Sequence, residues 1–307
     1  MPKFNVRKST VIDAPAMDVH ACIRDFHQWP KWSPWIIQEP DCRLDYADDG
    51  RSYAWEGTVI GAGEMGIISE DAPDSIDYRL VFLKPWKSVA SVRFEFKPQG
   101  ESTEVTWSME SSIPFFMFFM KNFFAAMVGM DYERGLLMLK DYIETGSVPS
   151  RVEVVGEESF TGFKYIGVKK ESATDAIGES MTSAYGKLKS WMEANDVKAS
   201  GLGFSLYQKF NMVKGRSIFT AGFPVEAIPY NLPSDIDAGE VPCGKVFAVR
   251  HTGPYRHLGN GWATIMGRAQ AKVFRQNKKR LCFETYENEC EENDEKDFET
   301  IIRLPAK

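Results

Sequence analysis

A chain of 307 residues with 43% hydrophobic and 26% charged side chains is long enough for two domains with complete cores, which excludes disorder as the main state. Its 37 basic and 43 acidic side chains leave a net charge of −6, which argues against a surface built to neutralise nucleic-acid phosphates. Residues 1–147 hold 15 Lys/Arg against 22 Asp/Glu and residues 148–307 hold 22 against 21, so neither half is a basic arm.

The opening stretch from Met1 to Arg7 has no apolar run after its charges, so no secretory signal is expected and the cytoplasm is the default location. Five cysteines (Cys22, Cys42, Cys243, Cys282, Cys290) form no close pair and fit reduced thiols. The four histidines are scattered, with no Cys/His cluster at metal-ligand spacing, so neither a structural metal nor a cofactor is expected. His20, His27, His251 and His257 have no Ser or Cys partner at a spacing that marks a nucleophilic triad.

Residues 4–13 read as a strand, ended by Ala14 and Pro15 before a helix at about Met17–Asp25. Two prolines between Trp29 and Trp35 forbid regular helix or central strand, which makes this three-indole stretch a loop, either a lid or a segment packing its own rings. Alternating apolar residues then predict strands at Tyr53–Val59, Gly66–Ser69, Ile76–Phe82, Val89–Phe96 and Val105–Met109. Gly and Pro clusters between them suit an antiparallel meander. From Ile113 to Ile143 the period is that of a long helix, with Phe116, Phe119, Met120, Phe123, Met127 and Met130 on one face. Lys121 and Asn122 interrupt the apolar run, which is too short to span a bilayer, so no membrane partner is expected and burial against protein core is favoured over a lipid or ligand surface.

This order of elements resembles the SRPBCC, or polyketide-cyclase-like, family over residues 4–144. The resemblance rests on Ala14 and Pro15, the Trp29–Trp35 stretch, Thr103–Met109 and Gly129–Lys140. It implies a curved antiparallel sheet gripping the last helix around a cavity for varied hydrophobic ligands, in a family of which only some members are enzymes. Trp55 and Trp107 are inward indoles of that sheet, either core or binding wall.

Residues 145–150, with Gly146 and Pro149, read as the linker between domains at 1–146 and 151–307. Beyond it a strand, an amphipathic helix and a strand pair occur twice, offset by 79 to 81 residues, which marks a duplicated unit. Tyr207 matches Tyr286, Phe219 matches Phe298, and Ser205 matches Glu284; duplicated halves usually face each other, so that last difference marks where a shared cleft acquires its chemistry. The overall expectation is an α+β chain: a helix-grip sheet, then a duplicated β-α-β-β module.

His251–Tyr255 before a helix, Phe283–Tyr286, and the terminal Phe298–Pro305 closely resemble the GyrI-like family of effector-binding domains over residues 151–307. The resemblance implies a pseudo-twofold module whose cleft binds amphipathic or aromatic small molecules, often cations, against an acidic residue, here Glu284, with Tyr255 and Tyr286 as aromatic neighbours and Tyr207 as the matched tyrosine. Some stand-alone members resemble cyclopropanoid hydrolases.

Physical chemistry supplies both options for such a carboxylate. Among Phe283, Tyr286 and Trp262, Glu284 would sit in low dielectric, where its ionised form is costly. Either a bound cation compensates the charge, with the rings adding about 0.5–2 kcal/mol, or the carboxylate takes a proton from a water attacking an electrophile, assisted by a tyrosine such as Tyr255. The opposing expectation is simple alternation, which turns Phe283 inward and Glu284 to solvent if only one face is buried. Tyr255 then only packs the turn. The acidic run at residues 291–297 lacks the Gly and spacing of a calcium loop and reads as a solvated hairpin turn. With no basic recognition helix, a sensor would need a separate regulatory protein. The sequence leaves the oligomeric state open.

Overall fold

Alternation over Lys3–Ile12 (β1) buries Phe4, Val6 and Ile12 and leaves Lys3, Asn5 and Arg7 exposed. In the computed structural model, which describes residues 3–84, 87–288 and 293–307, the chain forms two units, residues 1–149 and 150–307. β1 opens a seven-stranded antiparallel sheet with β2 (Arg43–Tyr46), β3 (Ser52–Glu56), β4 (Ala62–Asp71), β5 (Ser75–Lys84), β6 (Ser88–Gln99) and β7 (Ser102–Ser112), in the order β1-β7-β6-β5-β4-β3-β2. β3 ends at Glu56, short of the predicted Val59, because the Glu39 carboxylate accepts the amides of Thr58, Val59 and Ile60 at 2.7, 2.8 and 3.0 Å. A ring of backbone donors around one carboxylate favours a turn over a continued ladder.

Helix α1 (Ala16–Arg24) and two short 3-10 turns, Phe26–Lys31 and Ile36–Gln38, carry the tryptophan segment. It packs its own indoles: Trp29 and Trp32 are fully buried and join Phe94, Trp107 and Tyr132 in the core. Trp29 Nε1 and the Tyr78 hydroxyl both donate to the Ile23 carbonyl, at 2.8 and 3.1 Å, using both lone pairs of a buried acceptor. Helix α2 (Lys121–Thr145) lies against this core, with Tyr132 stacked on Trp107 at 3.9 Å between centroids. A Cβ at Gly135 would stand 2.8 Å from the Trp107 ring and 3.0 Å from Pro34, so only glycine lets the helix approach this closely. Gly135→Ala is expected to lower stability by about 1–3 kcal/mol through overpacking, read by urea denaturation.

One expectation fails here. Phe115–Met120 is a 3-10 turn and α2 starts only at Lys121, so the Phe/Met positions do not form one continuous core-facing stripe. Phe115, Phe116, Phe118 and Phe119 are 59–77% exposed, while the core takes Gly129, Tyr132, Gly135, Leu136 and Leu139, with Phe124 and Val128 alongside. The change in residues per turn shifts the face, and a segment apolar all round holds no internal signal of which side is covered. Gly146 closes the helix at φ +82°, its amide bonded to the Tyr142 carbonyl at 2.9 Å.

The second unit is one eight-stranded antiparallel sheet with two helices. Its elements are β8 (Arg151–Phe160), β9 (Phe163–Ala173), α3 (Ile177–Ala194), β10 (Phe204–Asn211), β11 (Arg216–Val225), β12 (Asp237–Val241), β13 (Gly244–Thr252), α4 (Gly259–Gln270), β14 (Cys282–Tyr286) and β15 (Glu299–Pro305). The sheet order is β12-β9-β11-β10-β14-β15-β13-β8. β9-α3-β10-β11 and β13-α4-β14-β15 are thus the two copies, joined at the sheet centre by β10 and β14. Their register pairs Ser205 with Glu284, Leu206 with Phe283 and Tyr207 with Cys282. Of the matched residues only Ser205 and Glu284 are direct cross-strand neighbours, with Tyr207 and Tyr286 on either side of them, so the local twofold passes between Ser205 and Glu284.

Two apolar clusters pack the helices: Ile166, Leu188 and Phe219 with α3, and Val249, Ile265 and Ile302 with α4. A separate cluster of Tyr165, Phe204, Leu206, Val241, Val246 and Phe283 fills the other side of the central strands. Both faces of β14 are therefore buried, and alternation sends neither Phe283 nor Glu284 to solvent. Glu295–Asp297 forms an exposed 3-10 turn before β15, while Glu291 and Glu292 of the acidic run, and Cys290, lie outside the described residues.

Candidate functional site

The strand pair β10 and β14 and the two helices place a polar cage on the local twofold of the second unit. Glu284 is 0% exposed. Its Oε1 accepts from the hydroxyls of Tyr207 and Tyr286, both at 2.9 Å, and its Oε2 accepts from Trp262 Nε1 at 2.8 Å. The one proton of Tyr286 is committed to the carboxylate, so Ser205 Oγ, 2.9 Å away, is the donor to the Tyr286 oxygen. The Tyr185 hydroxyl of α3 donates to the Phe204 carbonyl at 2.5 Å and lies 3.4 Å from Ser205 Oγ.

These contacts obey the repeat. Ser205 beside Tyr286 and Tyr185 mirrors Glu284 beside Tyr207 and Trp262. The short serine contacts Tyr286 closely and Tyr185 at longer range; the longer glutamate reaches across the axis to both Tyr207 and Tyr286. Replacing one serine by glutamate in a symmetric aromatic frame thus places a single carboxylate among two phenols and an indole.

Burial is the main cause that raises the Glu284 carboxyl above its ordinary value, opposed by the hydrogen bonds from Trp262, Tyr207 and Tyr286. Burial also pushes Tyr207 and Tyr286 well above the usual phenol range, reinforced by the neighbouring carboxylate, so both remain donors at neutral pH. All three donors to Glu284 are neutral. The carboxylate has its lone pairs directed at hydrogen-bond donors while, among the described residues, no cation contacts its charge. Chemically, such a group can attract a cation, or act as a base once one donor swings away.

The structure brings together Glu284, Tyr207, Trp262 and Tyr286, with Tyr207 and Trp262 packed edge to face at 5.0 Å. Tyr255 sits at the margin, 39% exposed, its ring 5.5 Å from Tyr286 and 5.1 Å from Phe298. The preceding Gly253, at φ +136°, explains the Gly-Pro-Tyr turn, since only glycine adopts that backbone readily while its amide bonds the Phe298 carbonyl at 2.9 Å. Phe283 is a correction: it lies on the opposite face, its ring 4.8 Å from Phe160, because adjacent strand residues point to opposite sides. Trp107 is core in the first unit, and Trp55 lies half-buried there between Tyr53 and Phe82, over Gly63.

Sequence reasoning missed Tyr185, Met181 and Phe223. Met181 Sδ is 3.8 Å from the Tyr286 hydroxyl, and the Tyr185 ring lies 5.5 Å from Phe223. The repeat held no direct signal for Tyr185: at its offset of 79 to 81 residues Trp262 matches Met181–Ser183, and Tyr185 reaches the corresponding place from one helical turn further along α3. His251 also has a serine partner that spacing did not disclose, with Ser150 Oγ at 3.0 Å from Nε2 and Asn260 Nδ2 donating to the same Oγ at 3.0 Å. In the first unit, open concavities of about 420 and 430 Å³ lie beside Tyr46, Tyr53 and Arg79, and beside Cys22, Asp25 and Tyr142. Among the described residues no group of His, Cys, Asp and Glu is placed to hold a metal ion.

Comparison with known proteins agrees with this architecture. Residues 3–144 match the family described as polyketide cyclase / dehydrase and lipid transport, and residues 156–307 match the GyrI-like small molecule binding domain. No curated protein matches the sequence. Similar solved structures include protein MLL2253 from Mesorhizobium loti, at 11% identity over 46% of this chain and 97% of that one, with a TM-score of 0.37. EcmrR in a complex with DNA has 15% identity over 59% of this chain and 66% of that one, with a TM-score of 0.43. A START superfamily protein from Mycobacterium smegmatis has 18% identity over 47% of this chain and 99% of that one, with a TM-score of 0.34. The chain joins an SRPBCC-type, polyketide-cyclase-like unit to a GyrI-like small-molecule-binding unit.

Proposed function

We propose that the GyrI-like unit binds a hydrophobic or aromatic small molecule of positive charge, with Glu284 as its anchor and Tyr207, Trp262, Tyr286 and Tyr255 as its aromatic walls. The observation that carries this reading is a fully buried carboxylate whose three hydrogen-bond donors are all neutral. A cation entering between the rings supplies the missing charge, and the rings add cation–π attraction. The role is sensing, sequestration or detoxification, in the cytoplasm and without direct contact to nucleic acid; a sensing role calls for a separate regulatory protein.

Calorimetric titration with tetraphenylphosphonium, against neutral triphenylphosphine oxide, tests it. Tetraphenylphosphonium is expected to bind the wild-type protein and to lose roughly tenfold or more in affinity on Glu284→Gln, equivalent to about 1.4 kcal/mol. Equal affinity in the variant removes Glu284 as the anchor.

The elevated basicity of Glu284, with a tyrosine hydroxyl on the same oxygen, supports a second reading as a hydrolase of strained electrophiles. There Glu284 takes a proton from the attacking water as the water oxygen bonds to a ring carbon, the strained carbon–carbon bond breaks, and Tyr255 hydrogen-bonds the conjugated oxygen that takes up the electron pair. Mass spectrometry of a cyclopropane-bearing electrophile follows water addition, and equal rates for wild type and Glu284→Gln would end the catalytic version.

A further inference from the structure

Between Glu110 and Asp131 the sequence carries a single charged residue, Lys121, among ten phenylalanine and methionine side chains. The part of this run that forms the 3-10 turn Phe115–Met120 turns four phenylalanine rings outward, each 59–77% exposed. Ordinary surfaces scatter their apolar residues singly, so four protruding aromatics within the five residues 115–119 mark a contact surface.

The sheet register shows what surrounds them. Lys3 pairs with Ser112, Ala90 with Ser111, and Phe82 with Ser88, so the start of β1, the facing ends of β5 and β6 and the aromatic turn lie at one end of the sheet. Leu83 and Val89 at this end are also exposed. Lys3, Lys87 and Lys121 are exposed around it, Lys84 is taken up by the nearby Glu56 at 2.7 Å, and the exposed Glu110 lies further along the sheet, opposite Asn5 and Ser91. In a half of the chain with more acidic than basic side chains, this end is locally basic.

We propose that this end of the first unit docks on an anionic lipid surface, with Phe115, Phe116, Phe118 and Phe119 entering the headgroup–acyl boundary and the lysines meeting lipid phosphates. Peripheral binding of this kind needs buried apolar area plus attraction to anionic lipid, and both are on the same end. The geometry favours lipid over a protein partner. The rings pack on one another, Phe118 edge to face with Phe119 at 6.0 Å and Phe115 6.1 Å from Phe118 between centroids, and a bilayer accepts such a protruding aromatic cluster ringed by lysines without the matching pocket it would need on a protein. The contact is peripheral, since no helix among the described residues is long and apolar enough to cross a membrane. It departs from the expectation that the protein has no membrane partner.

Sedimentation of the full chain with phosphatidylcholine vesicles, with and without phosphatidylglycerol, tests the proposal. The wild type is expected to pellet with the anionic vesicles, less with neutral ones, and less again at high salt. The double variant Phe116→Ser/Phe119→Ser is expected to bind the anionic vesicles roughly tenfold more weakly or worse, with an unchanged melting temperature because both side chains are exposed. Failure of the wild type to pellet with either vesicle overturns the proposal, as does equal binding by the variant. Light scattering that shows a wild-type dimer, lost in the variant, without vesicle binding, assigns the surface to a second copy of the chain instead.

Discussion

Trp107→Ala is expected to destabilise the first unit by about 3–5 kcal/mol, a loss on the order of what large aromatic truncations cost in well-packed cores. The side chain is 1% exposed and stands at the centre of an aromatic cluster, 3.9 Å from Tyr132, 4.8 Å from Phe94 and 5.7 Å from Trp35 between ring centroids. Truncation removes the surface on which α2 rests at Gly135, and the large rigid neighbours have few ways to collapse into the space. Urea denaturation followed by near-ultraviolet circular dichroism measures the effect. A loss below about 1 kcal/mol would mean that the indole lines an open cavity and is not packed core.

The second large effect is a dependence on pH set by His251. Its ring is fully buried, and burial, with His257 adding repulsion, lowers its pKa from the usual 6.5 to about 4. Below pH 6.5 the unfolded chain takes up a proton that the folded chain refuses until about pH 4. Stability contributed by the neutral ring is therefore complete above pH 6.5 and is lost as pH falls through this window, by up to about 3 kcal/mol. The carboxyl of Glu284 works in the opposite direction: raised in the folded state, it holds its proton more tightly than the unfolded chain and favours folding as pH falls. Denaturation midpoints of wild type and His251→Asn, compared between pH 7 and pH 4, separate the two groups. The variant is expected to lose the steep acid-side decline; an unchanged slope would assign it to other residues.

Particular elements show how much was legible beforehand. The repeat offset matched Ser205 with Glu284, and the antiparallel pairing of β10 with β14 makes those residues neighbours across the local axis. The offset gave the match, while the pairing placed the axis, because in an antiparallel pair related by a twofold only residues on the axis face their own matches. Tyr207 and Tyr286 were nameable from the same offset, whereas Tyr185 stands 77 residues before Trp262 and falls outside it. Phe283 was misplaced because its neighbour in sequence is not its neighbour on a strand face. The Phe116 and Phe119 face was read as core because hydrophobicity was taken as burial, whereas the helix starts later than the apolar run does.

By itself the sequence determined the α+β class, the duplication, the register between its copies, and the site of the odd carboxylate, since all of these follow from local periodicity and from matched spacing along the chain. Tertiary structure alone decided which faces are covered. Phe283 is buried because Phe160, Phe163 and Tyr165 pack against its side of the central strands, and Glu284 because Trp262, Tyr207 and Tyr286 close over the other. Whether a side chain meets solvent depends on segments far away in sequence, and no local pattern reports them.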